Sequence, residues 1–235
     1  KNKKLKIQLH LHETNKEVQD SLDEWGLRPL ARIENLGILN RSLQAIHLTQ
    51  LNSDEIERLA KNEVHVGHCP ESNMKLGSGI CPIRDLLAKN VNVAIGTDSA
   101  ASNNDLDMLQ EVRTASFLSK AVSNDATQIP AEDCLEMITL NGAKFLGLEH
   151  KIGSIEVGKL ADLTAIDMSS IALKPVYNPV SQLIYNCTNA NISNVWIDGR
   201  RILQNKEFLK FKVLELDRKV EKWKEKIMSL ASKIS

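Results

Sequence analysis

Along residues 5–12 apolar and polar side chains alternate, and over residues 15–25 apolar positions recur at helical spacing, with Thr14 or Asn15 placed as the cap. Alternation marks a strand, because successive side chains point to opposite faces; recurrence at i, i+3 and i+4 marks a helix. The same pair of textures repeats down the first half of the chain. Strands are predicted over residues 43–48, 64–69 and 91–97, and helices over 53–62, 82–89 and 105–119. A further helix follows Pro130, running through Leu135, Ile138 and Phe145. Repetition of this kind implies parallel strands joined by helical crossovers.

After that the texture changes. Residues 153–167 (GSIEVGKLADLTAID) and 194–202 (NVWIDGRRI) are short apolar runs punctuated by glycine, which predicts a small β unit. Residues 213–232 return to a charged amphipathic helix with Leu214, Val220, Trp223 and Ile227 on one side. The charge run reads as its solvated face. No fixed-period repeat and no low-complexity linker is visible.

The bulk numbers narrow the class. A chain of 235 residues with 42% hydrophobic content allows one large domain or one and a half ordinary ones. Thirty basic residues balance thirty acidic ones, so no global field draws the chain to nucleic acid or to an anionic membrane. The four cysteines, Cys69, Cys81, Cys134 and Cys187, form no CxxC pair, which suits reduced thiols in a cytoplasmic protein. The residues given show no signal-peptide pattern and no apolar run long enough to span a bilayer, so a cytoplasmic protein is expected. The opening KNKKLKIQLHLHET reaches a strand rich in ligand-type residues almost at once, so the chain is expected to be the C-terminal part of a longer protein.

Chemistry-bearing residues gather at the ends of the predicted strands. The first ends HLHET, with His10, His12 and Glu13; the second ends in His47, the third in His68, and the fourth in Asp98. That edge of a parallel sheet is where ligands and catalytic groups collect. Imidazole and carboxylate together suit zinc or ferrous iron, and a bound metal lowers the pKa of its water toward neutrality. Glu13 and His47 are placed to act as an acid–base pair. By residue pattern alone Asp98 is either a cation ligand or the cap of the next helix, since a half-buried aspartate is costly without a partner. His12 alternates to the face of His10, and His65 falls on the face opposite His68.

Four stretches in order, HLHET from His10, AIHLT around His47, GHCPESNMKLGSG from Gly67 and GTDSAASNNDLDM from Gly96, resemble the amidohydrolase superfamily. Within it they are most similar to the methylthioadenosine/S-adenosylhomocysteine deaminase group, with guanine deaminases and triazine chlorohydrolases nearby. The stretch GSIEVGKLADLTAID resembles that superfamily's return into its flanking β-sandwich, so the likeness runs from about Lys6 to Ile202.

The resemblance implies the second half of a TIM-type (β/α)8 barrel over residues 1–150, part of a small β-sandwich over 151–210, and a C-terminal helix over 211–235. It implies one divalent metal, zinc or alternatively iron, held by His10 and Asp98. Glu13 would contact substrate and move a proton, His47 would act beside it, and Asp98 would also take the proton of the attacking water. The substrate implied is a purine nucleoside, with guanine deamination or dechlorination as the alternatives. The superfamily's first-strand His-x-His pair has no counterpart here, because His10-Leu11-His12 carries the trailing Glu13-Thr14 of the fifth-strand motif. Ser99 stands where many members have glycine. The missing ligands are expected from an upstream barrel half, as the rest of the same protein or as a partner segment; a homo-oligomer is a further option. The other reading, from a different class, is a non-catalytic half-barrel.

Overall fold

The computed structural model describes residues 5–210 and 212–232, and the chain divides into two compact units. The first comprises Lys1–Lys159 with Met168–Asn189, the second Leu160–Asp167 with Ala190–Ser235.

In the first unit strands and helices alternate: β1 (Ile7–Leu11), α1 (Asn15–Trp25), α2 (Pro29–Asn35), β2 (Leu43–His47), α3 (Ser53–Lys61), β3 (His65–His68), α4 (Pro70–Lys75), α5 (Ile83–Ala88) and β4 (Val93–Ile95). The strands pair in parallel in the order β1-β2-β3-β4, as the sequence predicts. The register sorts the side chains into rows. Leu9, Ala45, Val66 and Val93 stand side by side; the last three belong to the large apolar core and Leu9 packs against it. One residue along, His10, Ile46, Gly67 and Ala94 form a second row, on the other face because side chains alternate. Ile46 and Ala94 pack there with Cys69 and Phe145. A Cβ on Gly67 would come within 2.7 Å of Ile46 Cδ1 and 3.4 Å of the Phe145 ring, so glycine is what lets the aromatic ring settle on this row.

After β4 come α6 (Ala100–Asn103), α7 (Met108–Ser123), α8 (Ala131–Met137) and α9 (Leu140–Leu146). The helix predicted over 105–119 begins later and runs further, because Asp107 caps it: its side chain accepts from the Leu109 N–H at 2.9 Å and the Gln110 N–H at 3.3 Å. The single helix predicted after Pro130 is two, interrupted where Thr139 leaves the helical region at φ −126°, ψ −91°. Completing this unit, α10 (Pro179–Asn186) follows the strand β5 (Leu163–Ile166) in the chain.

The second unit is an antiparallel sheet in the order β5, β6 (Ile192–Ile197), β7 (Arg200–Gln204) and β8 (Glu207–Phe208). Its two hairpins turn on Asp198-Gly199 and Asn205-Lys206, all four in the left-handed region that tight two-residue turns require. The helix α11 (Val213–Ala231) ends the described chain with Leu214, Val220, Trp223 and Ile227 exposed. No helix among the described residues is long and apolar enough to cross a membrane.

Candidate active site

The site grows from the C-terminal ends of β1, β2 and β4. Thr14 caps α1 by accepting the Glu17 N–H at 3.1 Å, and the Glu17 carboxylate reaches back to the N–H groups of His12 (3.0 Å) and Glu13 (2.6 Å). This reciprocal cap fixes the turn from which Glu13 emerges. Thr49 adds a hydrogen bond from its hydroxyl to the Glu13 carbonyl at 2.7 Å, and Ser78 donates to Glu13 Oε1 at 3.4 Å.

Alternation along β2 would put His47 beside Leu43 and Ala45, in the large core. Its backbone is instead left-handed, at φ 74°, and the ring stands edge-on to His10 with centroids 4.9 Å apart. His47 Nε2 lies 3.7 Å from Glu13 Oε2. Ligand atoms of His10, Glu13 and His47 all fall within 4.8 Å of one another, the His10 ring exposed and the His47 ring buried. Asn73, in α4, pairs its side-chain amide with His47 Nδ1 at 2.8 Å, which orients the ring. Nε2 is left facing the Glu13 carboxylate. Imidazole beside carboxylate is a donor set for a divalent metal.

Asp98 sits three residues beyond the end of β4, also left-handed at φ 59°. Two hydroxyls converge on its Oδ2, from Ser72 of α4 at 2.8 Å and Ser102 of α6 at 2.5 Å. Partial burial works against its charge, but those two hydrogen bonds and the nearby His47 outweigh it, and the pKa lies below the ordinary aspartate value. Asp98 makes no side-chain cap for α6. His10 and Asp98 line one cavity of about 700 Å³, together with Gln8, Gly67, Gly96 and Phe145.

His12 is elsewhere. A left-handed backbone at φ 51° breaks the alternation and sends the ring into the core, fully buried. Its Nε2 accepts the Leu30 N–H at 3.0 Å, and burial pushes its pKa down to about 4. Beside it Arg28 grips Glu55 with two hydrogen bonds of 2.8 Å, while Glu55 also closes the capping box of α3 with Asn52. His68 is buried as well, held neutral with a pKa lowered to about 3 by burial and by His47. His65 stacks edge-on against Phe145 at 6.4 Å. Ser72, Asn73 and Ser102 were not singled out by spacing, although they lie inside the stretches PESN and SAASN.

Comparison with known proteins shows the family. The amidohydrolase family model matches residues 1–202. A 5-methylthioadenosine/S-adenosylhomocysteine deaminase of Teredinibacter turnerae is 44% identical over 94% of this chain and 50% of its own length. A 5′-deoxyadenosine deaminase of Methanobrevibacter smithii is 40% identical over 92% of this chain and 50% of its own. Among solved structures, a zinc-bound adenosine deaminase from Xanthomonas campestris superposes with a TM-score of 0.94 at 47% identity, over 95% of this chain and 51% of that one. An atrazine chlorohydrolase from Arthrobacter aurescens, at 22% identity and TM-score 0.87, shares the fold over 92% of this chain and 48% of that one. The chain thus spans about half the length of the curated relatives it matches. By its motifs, its fold and these matches, the chain belongs to the amidohydrolase family.

Proposed function

We propose that the protein carrying this chain is a metal-dependent aminohydrolase. It would remove the 6-amino group of an adenine nucleoside of the 5′-methylthioadenosine or S-adenosylhomocysteine type. The observation that carries the reading is the convergence of His10, Glu13 and His47 within 4.8 Å, with His10 also lining the cavity that Asp98 lines. Relatives more than 40% identical over most of the chain are named for that activity, which sets the substrate class. The likeness to the chlorohydrolase is one of fold, and nothing at the site favours dechlorination or guanine over adenine.

In this reading His10 and Asp98 hold one divalent metal, zinc by analogy with the zinc-bound neighbour. When bound, such a metal supplies a water of lowered pKa and positive charge where negative charge develops. The side chains do the rest. Asp98, its Oδ2 steadied by two hydroxyls, takes a proton from the water that adds to carbon 6 of the ring. Glu13 delivers a proton to the ring nitrogen, and His47, oriented by Asn73, holds the water and stabilises the developing charge. Asp98 then passes the proton it took to the departing amine while the carboxylate of Glu13 takes the one left on the added oxygen, so ammonia leaves and the ring keeps the oxygen as a carbonyl.

The same reading makes the parallel sheet the second half of an eight-stranded barrel, completed by a further segment of the protein. Its support is the in-order strand pairing, the row of His10, Ile46, Gly67 and Ala94 facing the cavity side, and relatives twice the length of the chain. Residues 1–150 would then be barrel, 151–210 sandwich and 211–235 the terminal helix, with residues 1–4, 211 and 233–235 outside the described part. Four cysteines without disulfides accord with a cytoplasmic enzyme. The test is ammonia release by the full-length protein from methylthioadenosine, S-adenosylhomocysteine, adenosine and guanine, with metal analysis of the same sample. Turnover of the adenine compounds with about one zinc per chain is expected. Turnover of guanine alone, or none with full metal loading, would overturn the assignment.

A further inference from the structure

The segment that presents Asp98 is one the backbone would not choose unaided. Asp98, Asn104 and Leu106 are all non-glycine residues with positive φ, at 59°, 85° and 56°. Such conformations persist only where the surroundings over-determine them. The hydroxyls that fix Asp98 come from two short helices, Ser72 from α4 and Ser102 from α6, and α4 also carries the Asn73 that orients His47. Helices of six and four residues have little stability of their own, so something must hold them in register.

On the exposed side Lys75 of α4 donates to the Ala101 carbonyl of α6 at 2.9 Å and to the Asn104 side chain, and from the buried side a carboxyl on α7 joins the two helices. Glu111 is fully buried, with its Oε1 accepting the Glu71 N–H in the first turn of α4 at 2.9 Å. Its Oε2 accepts from the Asn103 side-chain amide, at the end of α6, at 2.7 Å. Asn103 in turn accepts the Leu106 N–H at 2.7 Å, at one of the strained positions. The Glu71 carboxylate backs the arrangement, taking the Thr114 hydroxyl at 2.7 Å and the Asn103 amide at 3.3 Å. We propose that Glu111 is a positioning residue for Asp98: it clamps α4 to α6 so that Ser72 and Ser102 meet on one carboxylate oxygen. The inference rests on the reading of Asp98 given above.

A buried carboxyl that served packing alone would be an expensive choice, since an apolar side chain of similar size fills space without desolvation. Burial, with Glu71 close by, pushes the Glu111 pKa above the ordinary carboxylate range. The group sits in an unfavourable place, and what it touches there are two elements that carry the site.

The test is a mutant cycle in the full-length protein. Misplacing a catalytic group by an ångström can cost about 10²-fold, and a loosened clamp should cost part of that. Glu111→Ala is expected to lower kcat by about tenfold with KM nearly unchanged, and the Ser72→Ala/Ser102→Ala pair by a similar factor. Because Glu111 acts through those hydroxyls, adding Glu111→Ala to the pair should cost no more than about twofold further. Glu111→Gln keeps an acceptor for the Glu71 N–H but sets an amide against the Asn103 amide, so it holds α4, frees α6 and should give an intermediate loss. If Glu111→Ala fails to fold, the cycle is run with Glu111→Gln, whose smaller loss should likewise vanish in the pair. Two readouts do not depend on turnover. Hydrogen exchange at the Glu71 amide should accelerate in Glu111→Ala and not in Glu111→Gln, and zinc should be lost faster to a chelator in Glu111→Ala. A full tenfold loss added to the serine pair, or a lower Tm with normal kcat and normal zinc loss, would overturn the proposal. A wild-type protein inactive on every adenine nucleoside would defeat the functional reading instead, leaving the exchange and zinc-loss comparison to decide this one.

Discussion

His10 and His12 stand two positions apart at the end of one strand, and their surroundings are opposite. His12 lies in a closed region, where Leu30 donates to it and Arg28 and Glu55 are paired with each other and with the α3 cap. His10 lies in an open one, exposed, beside His47 and Glu13, on a cavity it shares with Asp98. The two sets use the same residue types. What differs is whether the chain itself satisfies them. In the closed region Arg28 neutralises Glu55 and the Leu30 N–H meets His12, so the polar groups are held within the fold. In the open region His47 and Glu13 face each other beside an exposed His10, a donor set that suits a cation from outside the chain.

The comparison predicts a large effect on one side. Asp98→Asn preserves size and one hydrogen-bonding oxygen but removes the charge. In the full-length enzyme it should lower turnover by about 10²-fold or more while leaving Tm close to wild type. A near-normal rate would reduce Asp98 to a turn residue and dissolve the distinction between the regions.

A smaller effect is expected in the closed region, visible as pH dependence of stability. His12 is neutral in the fold, its pKa lowered from 6.5 to about 4, and His68 likewise to about 3. Below pH 6.5 the unfolded chain binds protons that the folded chain refuses. The stability these residues contribute is therefore whole above pH 6.5 and falls as the pH drops toward 4. The loss is about 1.4 kcal/mol per pH unit for each histidine once the unfolded form is protonated. His12→Gln should remove one such contribution from the acid limb of a denaturation series. An unchanged slope would show that the His12 ring is not held neutral by burial.

Much of this was legible in the residues. The repetition of strand and helix implied the parallel order, which the sheet has, and the ordered stretches named His10, Glu13, His47 and Asp98 as candidates. Three short helices, α2, α4 and α10, are too brief for periodicity to reveal, at seven, six and eight residues. Each starts with a proline, Pro29, Pro70 and Pro179, at the first helical turn, a signal that could have located them. The facing of His12 and His47 was not legible, because alternation assumes extended backbone and both residues are left-handed. Nor was the role of Glu111, forty residues from the Glu71 amide it accepts; only the fold brings them together.

The most direct test of the comparison is a paired measurement on His10→Ala and His12→Ala in the full-length protein, reading Tm and zinc per folded chain. The account predicts a crossing. His10→Ala should lose zinc and keep a Tm near that of metal-free wild type. His12→Ala, which strands the buried Leu30 N–H at a cost of about 1–3 kcal/mol, should lower Tm and keep its zinc. Loss of zinc from His12→Ala with Tm intact, or retention of zinc by His10→Ala, would contradict it.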